Sequence, residues 1–450
     1  MRLSLFFNAK FTNEINYKVR ASKLLEFFIL FFIVYVHFSV NAIEPSSKYS
    51  WLFPVFVWCY GVYASRKSIP LLVFYVFIFP YIFIPYQHYV NYRQISIYTD
   101  FQSEDIINQV AFLNTIFLSV FSFIVSGLDD SKLDNPRGWC KSNSFVFYLS
   151  LIPCFISIAF GLSGESIISS GYGSGLSSKS SLHEYFIVFS LFPLLFMNRR
   201  SRLQYFIWIL LALIYSLKTI LYGGRIEVIQ VVLLWCFVGS NYMKSYSKWK
   251  MLLWGSIVYF VLSSIGIVRG HFPELIAADN IVKTFVDIIL SPDTRPYVLS
   301  TSADVYYASM RLMGMIKEGY IGFEYRFLSF TSFIFNFPMT FSSFKELSNL
   351  ASFQSSYYLT GGGGLISAYL FVWMSYFGVF LGAFLIGLSI RLFYTRRSLF
   401  LRTYVIMILV TFPRWWAYTP INLTKLCFVS VFMYLFYLSI SSVIQKRKEV

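Results

Sequence analysis

Charge is scarce in this sequence: Asp, Glu, Lys and Arg make up only 13% of its 450 residues. A soluble chain of that length could not hydrate its surface with so few charges, which excludes a soluble globular class. Cysteine is scarce too, five in all, with Cys59, Cys154, Cys236 and Cys427 in apolar segments and Cys140 in a loop read as cytoplasmic. That excludes a disulfide framework, and no Cys, His or acidic spacing of a metal site links them. Walker, Rossmann and CxxC patterns are missing. No internal repeat relates the two halves, which argues against inverted-repeat transporters. The N-terminus has no small-residue cleavage site after its basic stretch, so its apolar run reads as a retained first helix.

What is present is apolar: 57% hydrophobic residues, 21% aromatics and a mean hydropathy of +0.62. The expected fold is an all-α polytopic membrane protein of about twelve transmembrane helices. Its apolar segments are 24 to 43, 51 to 64, 69 to 91, 107 to 127, 145 to 163, 183 to 197, 204 to 222, 226 to 242, 250 to 267, 365 to 390, 403 to 418 and 421 to 442. Several are shorter than the ~20 residues of a perpendicular span. A net charge of +16 would suggest nucleic acid in a soluble protein. Here it reflects cytoplasmic Lys and Arg, and no nucleic-acid partner is expected. With the N-terminus inside, 23 of the 37 basic residues fall on inner loops, and both termini are placed in the cytoplasm.

The interruption between the ninth and tenth segments is then extracytoplasmic. The chain divides into residues 1–267 with nine spans, a large outer loop at 268–364, and residues 365–450 with three more. Thr301 and Asp304 resemble a capping box ahead of a helix over Val305 to Lys317, with Gly319 as its stop. Ile281 to Leu290 reads as a short amphipathic helix, and the aromatic-rich Phe323 to Phe337 as a segment on the membrane surface or packed on the bundle. Thr340 to Thr360, followed by four glycines, reads as a flexible linker.

Chemistry is sought where charge is expensive. Arg414, in Phe412-Pro413-Arg414-Trp415-Trp416, lies twelve residues beyond Arg402, or ~18 Å into a core ~30 Å thick. Lys218 reaches a similar depth, and Arg225 and Arg269 reach the outer interface. Four cations thus gather in the outer half of the bilayer, where charged side chains face the bundle interior and mark a ligand path. Such a pocket suits a lipid-borne phosphate or pyrophosphate, because the planar guanidinium makes paired, charge-assisted bonds. Snorkelling to headgroups is the bland alternative for Arg225, Arg269 and Lys218.

The layout of about twelve spans with one large late outer loop also resembles the bacterial O-antigen polymerase (Wzy) family. So do Gly223-Gly224-Arg225-Ile226-Glu227 after a Lys-bearing span, and the glycine run leading into Ala368-Tyr369 and Tyr376-Phe377-Gly378-Val379-Phe380. The resemblance implies a GT-C-like, metal-independent and cofactor-free glycosyltransferase in the inner membrane. Its substrate would be an undecaprenyl-pyrophosphate-linked oligosaccharide, and a chain-length regulator is an expected partner besides the bilayer. It implies substrate-binding roles for Arg225 and Arg269. The chain departs from the family at Ser367-Ala368-Tyr369, where many relatives carry Glu before the Tyr.

Such a reaction needs cations at the leaving pyrophosphate and a base at the acceptor hydroxyl. Of the four histidines, His271 is the one beside the basic cluster and is the first candidate base. Glu227 is the second, or else an ion-pair partner that orients an arginine. Two other activities stay open, a ligase that moves finished polysaccharide onto lipid A-core and a polysaccharide flippase. The topology itself can be tested: reporters fused after Ser300 or Ser343 should behave as periplasmic, and those after Lys141 or Arg397 as cytoplasmic. The reverse at any site breaks the span assignment.

Overall fold

The computed structural model describes residues 3–96, 103–132, 140–164, 177–198, 200–222, 224–239, 278–290, 298, 300–335, 350–358, 363–395 and 399–449. The described chain is a helical membrane protein. Six helical stretches are long and apolar enough to cross a bilayer: Ala21–Ile43, Ile69–Tyr89, Glu104–Val125, Arg202–Leu221, Ile366–Thr395 and Ile421–Ile444. Their outer faces carry large exposed apolar side chains, among them Leu25, Phe28, Phe32 and Tyr35 of the first helix. That is the surface a hydrocarbon solvent requires, because backbone polar groups are satisfied within the helices and apolar side chains meet lipid.

The helices, in chain order, are α1 (Leu3–Ile43), α2 (Leu52–Ala64), α3 (Ile69–Ile82), α4 (Ile84–Tyr89), α5 (Glu104–Val125) and α6 (Ser144–Phe160). A two-stranded antiparallel pairing, β1 (Leu162–Gly164) with β2 (Ser177–Lys179), precedes α7 (Ser181–Phe196), α8 (Arg202–Leu221) and α9 (Arg225–Leu234). A short π-helical stretch, Trp235–Gly239, continues α9. Then come α10 (Ile281–Leu290), α11 (Thr301–Lys317), α12 (Phe323–Ile334), α13 (Leu350–Tyr357), α14 (Ile366–Thr395), α15 (Leu399–Ala417), α16 (Ile421–Thr424) and α17 (Leu426–Glu449). Eleven of the twelve apolar segments read from the sequence coincide with helices; segment 250 to 267 lies outside the described residues.

Three expected spans are not continuous, and the 421 to 442 segment is split at Lys425 between α16 and α17. The 69 to 91 segment breaks at Phe83, just before Pro85, whose ring and missing N–H interrupt the helical ladder. Helix α14 breaks at Met374 and Ser375, where Ser375 takes a φ of 56°. Left-handed backbone at a non-glycine residue is costly and persists only where packing fixes it.

Helix α11 occupies an unexpected place. From Ser302 to Met315 every side chain apart from Asp304 is buried, although the segment is not apolar enough to be a span. Small and flexible residues (Ala303, Ala308, Ser309, Gly314 and four methionines or leucines around them) let it fit between other helices. The Tyr306 hydroxyl donates to the Ile107 carbonyl at 2.9 Å, and the Leu365 N–H donates to Ser309 Oγ at 2.8 Å. Lys317 pairs with Asp105. These partners are the first turn of α5 and the entry to α14, so α11 lies across the end of the bundle where those helices begin. Its N-cap is Ser300, whose Oγ accepts from the Ala303 N–H at 3.1 Å. The capping box expected one residue later does not form: Asp304 instead accepts from Ser96 Oγ at 3.2 Å. Gly319, with a φ of 82°, ends the segment as expected.

The linker expectation for 340 to 360 is corrected over part of its length. Residues 350–357 form α13, held to α11 by the Gln354 side-chain amide, which donates to the Ala308 carbonyl at 2.7 Å. Nor do the described glycines of the four-residue run serve only as free hinges. A Cβ on Gly363 would sit 1.7 Å from the Tyr418 carbonyl oxygen, and one on Gly364 3.0 Å from Ser309 Oγ.

At the opposite end, Asp130 ties loops together, accepting from the Ile69 N–H and the Tyr394 hydroxyl, both at 2.7 Å. Arg391 there donates to the Ile124 carbonyl at 2.8 Å. The glycine contact gives a direct test. Gly363→Ala should lower the thermal midpoint of the detergent-purified protein by an amount consistent with ~1–3 kcal/mol of overpacking. Gly322→Ala, which meets open space, should leave it unchanged; equal behaviour of the two contradicts the close packing at Gly363.

Candidate functional site

The site forms at the α11 end of the bundle, where α8 turns into α9 through Tyr222 to Gly224. The Gly224 N–H donates to the Thr219 carbonyl at 2.9 Å, closing the end of α8. Glu227 is the third residue of α9, and its carboxylate folds back over the start of its own helix. A Cβ on Gly224 would lie 2.8 Å from Glu227 Oε2. Glycine at 224 therefore makes room for the carboxylate, which also gains from the positive end of the helix dipole. The Glu227 side chain is 3% exposed.

Arg414 meets it from α15. The two tryptophans after it lock the rotation of that helix. Trp415 donates to the Ile408 carbonyl at 2.9 Å and stacks on Phe74, and Trp416 packs edge-on against Phe74 and Phe117. With those rings buried, Arg414 faces α9. Its Nη2 donates to Glu227 Oε1 at 2.6 Å and lies 3.7 Å from Glu184 Oε1. The other Glu184 oxygen lies 3.6 Å from Lys425 Nζ, at the junction of α16 and α17. The side chains of Lys425, Arg414 and Glu184 are 9%, 19% and 32% exposed, so the acid of this trio is its most accessible member. Tyr185 and Tyr418 present their rings to Lys425 and Arg414 at 5.1 and 6.0 Å. Two acids and two bases from four segments thus alternate in a chain of ion pairs.

Arg225 opens α9 and donates from Nη2 to Thr301 Oγ1 at 3.2 Å, which joins the site to α11. The charges of Arg414, Arg225, Glu227 and Asp304 all act on the Tyr418 hydroxyl, so these groups share one neighbourhood. Burial pushes the Asp304 carboxyl above the usual carboxylate range, and the Ser96 hydrogen bond opposes that shift in part. Gln230, one turn below Glu227 on the same face of α9, is buried, and its side-chain nitrogen has no hydrogen-bond partner among the described residues.

No family model matches this chain, and no curated protein or solved structure does either. The site is therefore read on its own geometry. Of the six residues singled out from the sequence, the structure brings Arg225, Arg414 and Glu227 together. Lys218 is near but differently engaged: its Nζ donates to the Ile158 carbonyl at 2.6 Å and the Ala159 carbonyl at 3.4 Å. It satisfies the C-terminal carbonyls of α6, a favourable place for a cation. Arg269 and His271 lie outside the described residues.

Sequence reasoning missed Glu184 and Lys425. Lys425, five residues into the last apolar run, answers to the same rule that found Arg414, that a cation in an apolar segment has a purpose. Glu184 carries a weaker signal, since an acid in the first turn of a helix is ordinary. Thr301 was assigned to a cap, and its contact with Arg225 had no sequence signal. Chemically the arrangement can hold an anion: three cations converge at one bundle end beside aromatic rings, with Arg414 held by the buried Glu227.

Proposed function

We propose that this chain is an O-antigen polymerase, a metal-independent glycosyltransferase of about twelve spans with both termini in the cytoplasm. It extends undecaprenyl-pyrophosphate-linked oligosaccharide repeats at the periplasmic face of the inner membrane. The observation that carries the reading is the convergence of Arg225, Arg414 and Lys425 at the bundle end covered by α11. The basic-residue bias puts that end outside, where lipid-linked repeats are joined.

On this reading the cations bind the pyrophosphate of the donor and stabilise the charge it gains as the bond from the sugar C1 to the phosphate oxygen breaks. Glu227 positions Arg414: the 2.6 Å ion pair fixes the guanidinium so that its remaining N–H groups point in set directions. The acceptor hydroxyl gives its proton to a base. His271 keeps that candidacy, and Asp304, one turn along α11 from Thr301, joins it. The aromatic rings of Tyr185 and Tyr418 border the same space and suit sugar faces.

Because Glu227 is buried against it, Arg414 cannot be tested by alanine alone. Removing one partner of a buried pair strands the other at a cost of about 3–5 kcal/mol. Arg414→Lys keeps the charge and loses the planar fork, so it should cut polymer length strongly while protein level in the membrane holds. The joint change Arg414→Met with Glu227→Gln should restore protein level without restoring polymer. Normal polymer from either would remove Arg414 from the reaction.

A further inference from the structure

Glu184 sits between two cations without making a direct hydrogen bond to either. Its oxygens stand 3.7 Å from Arg414 Nη2 and 3.6 Å from Lys425 Nζ, beyond the ~2.7–2.9 Å of a charge-assisted contact. Glu227, on the other side of Arg414, makes that short contact at 2.6 Å. One acid is thus tightly held and the other loosely held. The loosely held acid is also the exposed one, a third accessible, whereas the two cations it bridges are largely covered. Its accessibility and its stand-off distances let Glu184 swing away when another anion takes over its charge beside the largely covered Arg414 and Lys425. When it does, Arg414 and Lys425 face the space it leaves.

The geometry points to an anion seat formed by Arg414 and Lys425, in which the Glu184 carboxylate stands in for two oxygens of a phosphate group and is displaced when a pyrophosphate binds. A carboxylate presents two oxygens to two separate donors, as a phosphate does, so the stand-in matches in charge and shape. The quartet of Lys425, Glu184, Arg414 and Glu227 carries no net formal charge with Glu184 in place, and one positive charge once Glu184 withdraws. The seat is therefore quiet when empty and attractive to a ligand that brings its own negative charge. Lys425 lies at the junction of α16 and α17, and Glu184 lies in α7. The proposal rests on the anion-holding part of the functional reading and not on the identity of the sugar-transfer reaction.

The test is calorimetric titration of the purified, detergent-solubilised protein with inorganic pyrophosphate, and separately with farnesyl pyrophosphate. Glu184→Gln keeps the size of the side chain and removes its charge; both ligands should bind about tenfold more tightly, a gain of about 1.4 kcal/mol. Glu184→Asp, which retains the charge on a shorter stem, should give a smaller gain. Adding Lys425→Met to Glu184→Gln should cancel the gain. Tighter binding of the farnesyl ligand marks the anion as lipid-borne, and the reverse order marks it as free; either order upholds the seat. The proposal is overturned if Glu184→Gln, with an unchanged thermal midpoint, binds no more tightly than the unaltered protein. It is also overturned if Lys425→Met leaves the gain intact, or if Glu184→Gln lowers the thermal midpoint and Glu184→Asp shows no gain, because Glu184 is then a structural bridge. Failure of the polymerase reading is a separate result: polymer in the cell would be unchanged by loss of the gene while pyrophosphate binding still responded to Glu184.

Discussion

A charge inside a bundle of helices must be balanced within that bundle, and the contact between Arg414 and Glu227 is where this chain meets that demand. Much of the surrounding structure follows from it. Glycine at 224 leaves room for the folded-back carboxylate, and the Trp415 and Trp416 rings fix the face that α15 turns toward α9. Arg225 is drawn to α11 through Thr301. Lys218, one turn from the end of α8, is spent on the carbonyls that end α6. Lys218 thus closes a helix end, while Arg414 and Lys425 join the ion-pair chain.

The division between tight and loose pairs gives the site its chemical character. Glu227 is nearly inaccessible and in short contact with Arg414, which suits a residue that orients a guanidinium. Glu184 is accessible and stands off from both of its cations. The charged site and the helix that covers it are also connected. Helix α11 lies across the bundle end, pinned to α5 by Tyr306 and to the entry of α14 by Ser309. Movement of α11 would act on Arg225 directly. At the far end of the bundle, Asp130 and Arg391 are engaged in tying helix ends together. The contrast between the two ends suits one-sided chemistry better than a passage open to both faces.

The apolar runs located the helices because apolar length is a strong, local signal. Arg414 was legible for the same reason: a cation twelve residues inside such a run has few explanations. The amphipathic 281–290 helix and the stop at Gly319 were also readable, each from a pattern within a few residues. What escaped was non-local. Glu184 and Lys425 are far apart in sequence, and only folding sets the Glu184 carboxylate between Lys425 and Arg414. The burial of α11 on nearly all sides was hidden by its polar composition, since small residues that permit close approach read as hydrophilic. Helix α13 was read as linker because Ser and Gln dominate it, yet Leu350 and Gln354 are buried and hold it in place. The cap at Ser300, displaced by one residue from the expected Thr301, shows how adjacent hydroxyls make such a boundary ambiguous.

On the polymerase reading, the most direct test is the lipopolysaccharide banding pattern of cells that have lost this gene. A repeat-unit polymerase predicts lipid A-core carrying a single repeat, with the ladder restored by the unaltered gene. Lipid A-core with no repeat at all would instead indicate a ligase or a flippase, and an unchanged ladder would contradict any role in joining these sugars.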